Sequence, residues 1–402
     1  MFRYIRKGNE LIAHIYTREI TSIFKDRGAL LILFFAIIIY PIIYGIAYKN
    51  EVLRDLSVAV VDLDKTPSSR QLSNMLDATE QLDVINNIQT LEEAELMFHH
   101  SKINGIIIIP QNFEKSVIKG EQTSLSVYCD AGYLLKYKQT LSGTLKASAT
   151  FGAGVEIKKH LAKGLNMEQA YTAREPIGLN AHLLYNSAGG YNTFILPGFL
   201  IVLLQQTLLI GIGLMGGTQR EYGTQRFSIP LPIKKGSVIP FVVGRAGAYF
   251  TIYILNVIFT QVWVYKIFNI PLRATFMPLS AIMIPFLLAT TFLGLGITTL
   301  FKRREHSILF MVFLSPIILF ISGLSWPVSA IPTWLQTVSK IFPSTYAVPA
   351  IIRVQLMGAE MQHITVETKS LLIQGAIYFI FALLLYYRAS AKNNNRIKVN
   401  QS

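Results

Sequence analysis

The chain has 402 residues, of which 51% are hydrophobic and only 15% charged, whereas soluble domains average about 25% charged residues. This composition excludes a purely aqueous globule, a disordered chain and a coiled coil, and the single cysteine excludes a disulfide framework or a cysteine-based metal site. The 37 Lys and Arg residues against 23 Asp and Glu give a net charge of +14, which indicates nucleic acid or a membrane surface as a partner.

Residues 1–27 carry the pattern of an amphipathic helix. Apolar side chains recur at intervals of three and four residues from Ile12 to Ile23, and polar side chains such as Arg18 and Lys25 occupy the other face. A helix of this kind lies in a membrane interface rather than across the membrane. We therefore predict an interfacial helix on the cytoplasmic side.

Gly28–Tyr48 is the first uncharged stretch that is long enough, at about 20 residues, to cross a ~30 Å hydrocarbon layer as a helix. Gly45-Ile46-Ala47 resembles a signal-peptidase site, but the apolar run is longer than that of a signal peptide and 27 residues precede it. We expect a retained transmembrane helix.

The segment 49–190 is polar enough to form a soluble domain, with 14 Lys and Arg against 16 Asp and Glu. Short β-branched stretches alternate with helical patterns, which predicts a small α/β domain. Strands are predicted at Leu56–Val61, Leu82–Ile88, Gly105–Pro110 and Ser124–Cys129, and helices after Thr66 or Ser68, at Leu91–His100 and at Asn112–Lys119. A long helical pattern from Lys136 to about Asn166 predicts a stalk that returns the chain to the membrane.

Residues 191–387 contain five further uncharged stretches of transmembrane length: Tyr191–Gly217, Ala246–Tyr265, Met277–Phe301, Ser307–Trp326 and Ser370–Tyr387. Helices of an aqueous core are rarely apolar on every face over this length. We therefore predict an α-helical polytopic membrane protein with six transmembrane helices and an inserted extracytoplasmic α/β domain.

The basic residues predict how the chain crosses the membrane. Outside 49–190 there are 23 Lys and Arg against 7 Asp and Glu. Most of these basic residues lie in 1–27, in the loops after the second and fourth spans, at Arg245 where the third span opens, and in the tail 388–402, whereas the short opposite loops are poor in Lys and Arg. The positive-inside rule places the four basic regions, Arg245 included, and both termini on the cytoplasmic side of the plasma membrane. Attraction to anionic lipid headgroups explains this basic excess, so nucleic-acid binding is not needed.

The sequence lacks the common motifs of catalysis. It has no Gly-x-x-x-x-Gly-Lys-Ser/Thr phosphate loop, and no Gly-x-Ser-x-Gly or His-Glu-x-x-His site. His99 and His100 point in different directions on a helix, and Asp62 with Asp64 fits a solvated turn better than a cation site. We therefore expect no enzyme activity, no metal and no cofactor on this chain.

Polar residues inside the predicted spans are few, and no predicted span carries a charge at its middle. Ion-coupled carriers usually place ionisable groups there, so this pattern disfavours a secondary transporter or a proton pump. The uncharged exceptions are Gln205, Gln206 and Thr207 in the second span and Asn256 and Gln261 in the third. Hydrogen bonding between helices is the simplest interpretation, and lining of a substrate route is the alternative.

Two loops carry denser patterns. The first, Gln219–Arg226, is short and charged, and a solvated connector is its simplest interpretation. The second begins at Ser322-Gly323-Leu324-Ser325-Trp326-Pro327 and continues through Ile331-Pro332-Thr333-Trp334. An apolar stripe of about 10 residues follows and is too short to cross the membrane, so we predict re-entrant or interfacial helices at about 323–350, with Pro332 in a first turn.

At these two loops the chain resembles the permease subunits of type-2 ATP-binding-cassette exporters, in the subgroup with a large external domain after the first span. An Arg-Glu-x-Gly-Thr loop is matched by Arg220, Glu221, Gly223 and Thr224. A Ser-Gly-x-x-x-Pro…Pro-x-Trp-Leu…Pro-x-Thr-Tyr stretch is matched by Ser322, Gly323, Pro327, Pro332, Trp334, Leu335, Pro343, Thr345 and Tyr346. Tyr185-Asn186 and Pro197-Gly198 also resemble the family, whereas Arg245 stands where a Lys is common.

The resemblance implies a transport subunit whose energy comes from a separate ATPase, which binds the ATP. The expected contact with that ATPase consists of the interfacial helix and the first loop, at Arg18, Glu19, Lys25, Arg220, Glu221, Gly223 and Thr224. Two permease subunits, alike or different, would enclose a route along spans two and five, with candidate residues Gln205, Gln206, Thr207, Asn256, Ser322 and Gly323. Few fixed charges suit an amphipathic or hydrophobic substrate such as a drug or lipid, and the external domain is expected to receive substrate or dock a periplasmic adaptor.

Two other functions stay open from the sequence. An envelope sensor or scaffold would use the external domain to bind a partner, although one or two spans would suffice to anchor it. An ion-coupled secondary exporter would move its substrate without ATP. Co-purification of an ATPase would favour the exporter over a sensor or scaffold. ATP-independent export in vesicles would favour the ion-coupled exporter.

Overall fold

The structure, a computed structural model, describes residues 2–85, 88, 90–175, 177–179, 181–187, 189–221, 238–301 and 303–399, with side chains from residue 8 to 218 and from 238 to 389 within these ranges. The chain divides into two compact units, which are described separately. One is Val52–His182, and the other consists of Met1–Glu51 and Leu183–Ser402.

The chain begins with helix α1 (Phe2–Lys25), which buries Ile15 and Ile23 on its apolar face. Asp26 then starts a new helix, because its carboxylate accepts the N–H of Ala29 at 2.9 Å and caps the first turn. The apolar rod that follows consists of α2 (Arg27–Leu30), a π-helical turn (Leu31–Phe35) and α3 (Ala36–Ala47).

The inserted α/β unit is built on a four-stranded sheet with the strand order β2-β1-β3-β4. Its elements are β1 (Leu56–Asp62), α4 (Pro67–Asp77), β2 (Leu82–Ile85), α5 (Leu91–His99), β3 (Gly105–Ile109), α6 (Phe113–Lys119), β4 (Ser126–Cys129), α7 (Leu134–Ala162) and α8 (Met167–Arg174). Strand β1 pairs in parallel with β2 and β3, and β4 is antiparallel to β3. The predicted α/β character of this region is confirmed.

Helices cover both faces of this sheet, which is why its central strands are apolar along their whole length. Val58 packs with side chains of α4, α6 and α7, and its neighbour Ala59 faces α5 on the other side. Helix α7 approaches closely enough that a Cβ at Gly105 would lie 2.8 Å from Cγ2 of Thr140. The first half of α7 therefore belongs to the core of this unit, and the role of this helix as a stalk that returns the chain to the membrane stays a prediction.

The remaining elements belong to the membrane unit. They are α9 (Tyr191–Glu221), α10 (Val238–Ile258), a π-helical turn (Phe259–Trp263), α11 (Val264–Ile267), α12 (Phe276–Thr298), α13 (Arg304–Ile321), α14 (Thr333–Ser339), α15 (Ser344–Met357) and α16 (Thr365–Val399). Short 3₁₀ turns at Val328–Ala330 and Met361–Ile364 precede α14 and α16.

Within the described residues, six helical segments are long and apolar enough to cross a membrane, as predicted. We number them spans one to six: Arg27–Ala47, Tyr191–Thr218, Val238–Ile267, Phe276–Thr298, Arg304–Ile321 and Met361–Ala389. Spans two and four lie at the centre of the bundle, and spans one, five and six expose large apolar side chains to the outside. Such a surface suits lipid or another apolar protein surface.

Successive spans alternate in direction, and one end of the bundle gathers close contacts among them. At this end, a Cβ at Gly28 of span one or at Gly217 of span two would lie 2.5 Å from atoms of Arg304 in span five. A Cβ at Gly216 would lie 2.8 Å from Oγ1 of Thr298, at the end of span four. We call this end the α1 end, because α1 packs beside it.

Candidate functional site

Helix α1, which carries half of the predicted ATPase contact, packs directly against span three. Small residues of α10 permit the approach: a Cβ at Gly244 would lie 2.9 Å from the carbonyl oxygen of Ile12 and 3.0 Å from Ile15. Farther along, the Tyr16 hydroxyl donates to Oγ1 of Thr251 at 3.2 Å. The interfacial helix is thus held by protein as well as by any lipid surface.

A buried ion pair lies in the middle of this contact. Arg245 of α10 donates from Nε and Nη2 to Oε1 of Glu19, at 3.0 and 2.6 Å, and the Tyr249 hydroxyl donates to the same oxygen at 2.9 Å. The Nη1 of Arg245 donates to the hydroxyl of Tyr386 in span six at 2.8 Å. Only 2% of Arg245 and 5% of Glu19 are exposed, and the Phe241 ring packs on the guanidinium.

This arrangement corrects two expectations from the sequence. The described part of span three starts at Val238, so Arg245 lies about two turns inside the helix and not at its opening, where the sequence placed it. Glu19, expected as a surface contact for the ATPase, is buried and bonded within its own chain. A charge inside a span indicates that a partner lies nearby. Arg245 would have shown this in the sequence if the predicted span had started before it.

The other residues of the predicted ATPase contact are either less buried than Glu19 or not described. Arg18 is half-buried on α1 and Lys25 is exposed at its end. Gly223, Thr224 and the side chains of Arg220 and Glu221 lie outside the described residues. The part of the predicted contact that falls on the loop therefore stays a prediction.

A second ion pair at the α1 end joins spans one and five, and the sequence reasoning did not find it. The guanidinium of Arg304 donates twice to the Asp26 carboxylate, at 3.0 and 3.2 Å. Asp26 also caps α2, so the same carboxylate fixes both the start of span one and the start of span five. Parallel paired bonds of this kind fix orientation as well as distance.

Two of the predicted route residues in span two are engaged between helices. Gln205 bonds twice to Ser344: its Nε2 donates to Oγ at 3.1 Å, and its Oε1 accepts the backbone N–H at 2.8 Å. It thereby caps α15, whose own first residues supply no side-chain cap. Thr207 accepts the hydroxyl of Tyr253 in span three at 3.0 Å.

Asn256 and Gln355 stabilise the two π-helical turns. A π turn contains an extra residue and leaves a backbone carbonyl without its helical partner. Asn256 Nδ2 donates to the carbonyl of Leu33 in the π turn of span one, at 2.9 Å. Gln355 of α15 donates to the carbonyl of Gln261 in the π turn of span three, at 3.2 Å. These amides link span one, span three and α15 by polar bonds in an otherwise apolar region.

Gln206 differs from its neighbours because both its amide atoms are buried without a hydrogen-bond partner among the residues that the structure describes. Only 6% of the residue is exposed. Gly213, two helical turns further on and therefore on the same face of α9, packs against Ser307 of span five. Gln206 thus faces the side of span two on which span five lies.

The Ser322–Gly323 motif ends span five. The Ser322 hydroxyl donates to the carbonyl of Leu319 at 2.8 Å, and Gly323 has φ +82°, a left-handed conformation that favours glycine. Leu324 then packs on Gly198 of span two, where a Cβ would lie 2.6 Å from Cδ1 of Leu324. Both motif residues thus have a place in the local fold, and their role as route candidates stays a prediction.

The rest of that motif forms two helices, α14 and α15, and the second extends beyond residue 350, where the predicted re-entrant segment ends. Pro327, Pro332 and Pro343 directly precede the first 3₁₀ turn, α14 and α15. Trp334 on α14 is 67% exposed, and Tyr346 on α15 packs against the main core. Helix α15 continues to Met357 and is mostly buried.

In the described part of the chain, no group of three or more His, Cys, Asp or Glu side chains could hold a metal ion. Asp62 and Asp64 instead hold the turn after β1, where Asp64 accepts the Thr66 hydroxyl at 2.7 Å and the Glu114 N–H at 2.9 Å. Burial alone would raise the pKa of Asp64, but these hydrogen bonds lower it below its usual value.

Comparison with known proteins shows one family over nearly the whole chain. Residues 27–384 match the family described as ABC-2 family transporter protein. The chain is 21% identical over 387 residues to the inner membrane transport permease YhhJ of Escherichia coli. This alignment covers 93% of this chain and 96% of the relative. It is 22% identical over 395 residues to the linearmycin resistance permease protein LnrN of Bacillus subtilis (91% and 96%). It is 21% identical over 349 residues to the probable multidrug ABC transporter permease YbhR of Escherichia coli (86% and 89%).

Proposed function

This chain belongs to the ABC-2 family of transporter proteins, and we propose that it is a permease subunit that exports amphipathic or hydrophobic compounds from the cytoplasm. The observation that carries the proposal is the family match over residues 27–384, which runs from the first span into the last. Relatives named for linearmycin resistance and for multidrug transport favour drug-like substrates.

An ATP-binding subunit is the partner that membership of this family implies. In our proposal that subunit binds and hydrolyses all the ATP, because the sequence of the permease has no phosphate loop. No cofactor of its own is needed, since transport requires only that closure of the ATPase moves the helices.

We place the α1 end in the cytoplasm of the cell, with both termini there and the α/β unit outside the plasma membrane. Support comes from the basic residues at this end, which include Lys25, Arg27 and Arg303. The exposed side of α1 and the loop with Glu221 would then face the ATPase. Partial shielding from water would strengthen ion pairs between the two proteins.

The substrate route in this proposal lies between spans two and five, next to a second permease subunit. The exposed apolar side chains of span five, such as Phe313 and Phe320, supply a surface for that subunit. Gln206, whose buried amide has no partner among the described residues, is the route candidate that the geometry favours, since Gln205 and Thr207 are engaged elsewhere.

The α/β unit is proposed to receive substrate or to dock a periplasmic adaptor. It is a separate compact unit, so removal of Val52–His182 should leave the membrane unit folded and reduce export. Full export by the truncated chain would contradict this part of the proposal.

The experiment that tests the proposal is purification of the tagged full chain from membranes in a mild detergent, followed by identification of the bound proteins. We expect an ATP-binding subunit in a fixed ratio, with ATP hydrolysis that rises when a lipophilic drug is added. An extract from cells with the untagged chain is the control. If no ATP-binding protein accompanies a chain that still exports, the proposal is wrong.

A further inference from the structure

The cluster of Glu19, Arg245, Tyr249 and Tyr386, which we call the Arg245 cluster, connects three elements. Glu19 belongs to α1, Arg245 and Tyr249 to span three, and Tyr386 to span six. All four side chains are buried. The cluster therefore connects α1, which is not a span, to spans three and six through buried side chains.

Stability alone does not explain such a connection. The free-energy cost of removing two charges from water roughly cancels their attraction, so apolar side chains of similar size serve stability as well or better. A buried guanidinium–carboxylate pair differs from an apolar contact in its directionality. Its hydrogen bonds fix the relative orientation of the two groups, whereas the hydrophobic effect has no preferred direction.

The pair also resists separation, because parting the two groups would take each buried charge away from the opposite charge that compensates it. Arg245 bonds Glu19 on one side and Tyr386 on the other. A displacement of α1 is thus passed to span three through the carboxylate and to span six through the phenol. Gly244, one residue earlier, keeps the two helices in contact at the same level.

We propose that the Arg245 cluster is a rigid joint that transmits ATP-driven movement of α1 to spans three and six. Glu19 and Arg245 are then positioning residues for transport, and neither contacts substrate or ATP. The inference rests on the proposed function, which supplies the force on α1.

A paired neutral substitution separates this role from simple stabilisation. Glu19→Gln or Arg245→Met alone leaves a buried unpaired charge and should lower stability. The double variant Glu19→Gln/Arg245→Met removes both charges, so we expect it to fold and assemble with the ATPase. In proteoliposomes, its basal ATP hydrolysis should stay near that of the wild type, while substrate transported per ATP falls about tenfold.

The matched control is the ion pair between Arg353 of α15 and Glu367 of α16, away from the α1 end. The double variant Arg353→Met/Glu367→Gln should keep the transport per ATP of the wild type. If Glu19→Gln/Arg245→Met also keeps it, the Arg245 cluster only stabilises the fold and the inference is wrong. A wild-type complex without ATP-dependent transport would instead refute the proposed function.

A smaller change decides the question if the double variant does not fold. Tyr386→Phe removes only the hydroxyl that accepts from Arg245, and Tyr387→Phe removes an exposed hydroxyl beside it. We expect transport per ATP to fall roughly threefold for Tyr386→Phe and to stay unchanged for Tyr387→Phe. Equal transport per ATP in both variants would overturn the joint.

Discussion

Replacement of Gly244 by Ala should loosen α1, whereas the same change at Gly247 should not. Both glycines lie on the side of α10 that contacts α1. Both also lie in the interior of that helix, so each variant gains about 1 kcal/mol of helix propensity. The added Cβ at 244 would lie 2.9 Å from the backbone oxygen of Ile12, and the one at 247 would lie 3.4 Å from the Tyr16 ring. Because only the first distance forces backbone to move, the variants should differ by ~1–3 kcal/mol of α1 docking free energy.

Hydrogen exchange of the α1 amides in the detergent-solubilised full chain measures this difference. A loss of ~1–3 kcal/mol should speed exchange in α1 by a factor of about 5 to 150 for Gly244→Ala relative to Gly247→Ala. Amides of β1 and β3 in the separate α/β unit serve as the internal control. Equal exchange of α1 in the two variants would refute the packing of α1 on span three.

Three further predictions concern other parts of the chain. Asn256→Leu leaves the carbonyl of the first π turn unpaired and should destabilise the chain by ~1–3 kcal/mol; an unchanged thermal midpoint in detergent would contradict this role. In a Cys129→Ser background, Lys102→Cys and Arg303→Cys should react with an impermeant maleimide from opposite sides of the membrane, and labelling from one side would contradict the orientation. The lowered pKa of Asp64 supplies stability that is present above ~pH 4 and lost as the pH falls further. Exchange of the β1 amides should therefore accelerate more steeply in acid for the wild type than for Asp64→Asn, and equal slopes would contradict the prediction.

The spans were predictable because lipid imposes its requirement on each helix separately. A helix in hydrocarbon must satisfy its own backbone and present apolar side chains over its length, whatever its neighbours are. The strands of the α/β unit were readable for a similar local reason, since β-branched runs such as Gly105–Ile109 fit a sheet covered on both faces.

The roles of the polar residues were not predictable, because each depends on a distant part of the chain. Gln205 meets Ser344 across 139 positions, and Asn256 meets the Leu33 carbonyl across 223. A single sequence shows only that an amide lies in an apolar stretch. Whether it caps a helix, closes a π turn or lines a route is decided by the folded structure.

Arg245 shows why the N-terminal end of a span is hard to place. A charge normally marks the end of a transmembrane stretch, so the sequence favoured a start at Ala246. The helix instead includes Val238 and buries the guanidinium, because Glu19 lies against it and compensates its charge. Glu19 is 226 positions away in the sequence, so the sequence alone does not show this partner. The π turns have no comparable signal, since one inserted residue does not change the apolar character of a span.

Transport by purified protein in proteoliposomes tests the central claim most directly. The full chain and its ATPase partner are reconstituted together, and movement of a fluorescent lipophilic drug across the bilayer is followed with ATP or with an ion gradient. We predict movement that requires both ATP and the partner and that does not respond to the ion gradient. Movement of the same rate driven by the gradient, with the ATPase absent, would contradict the account.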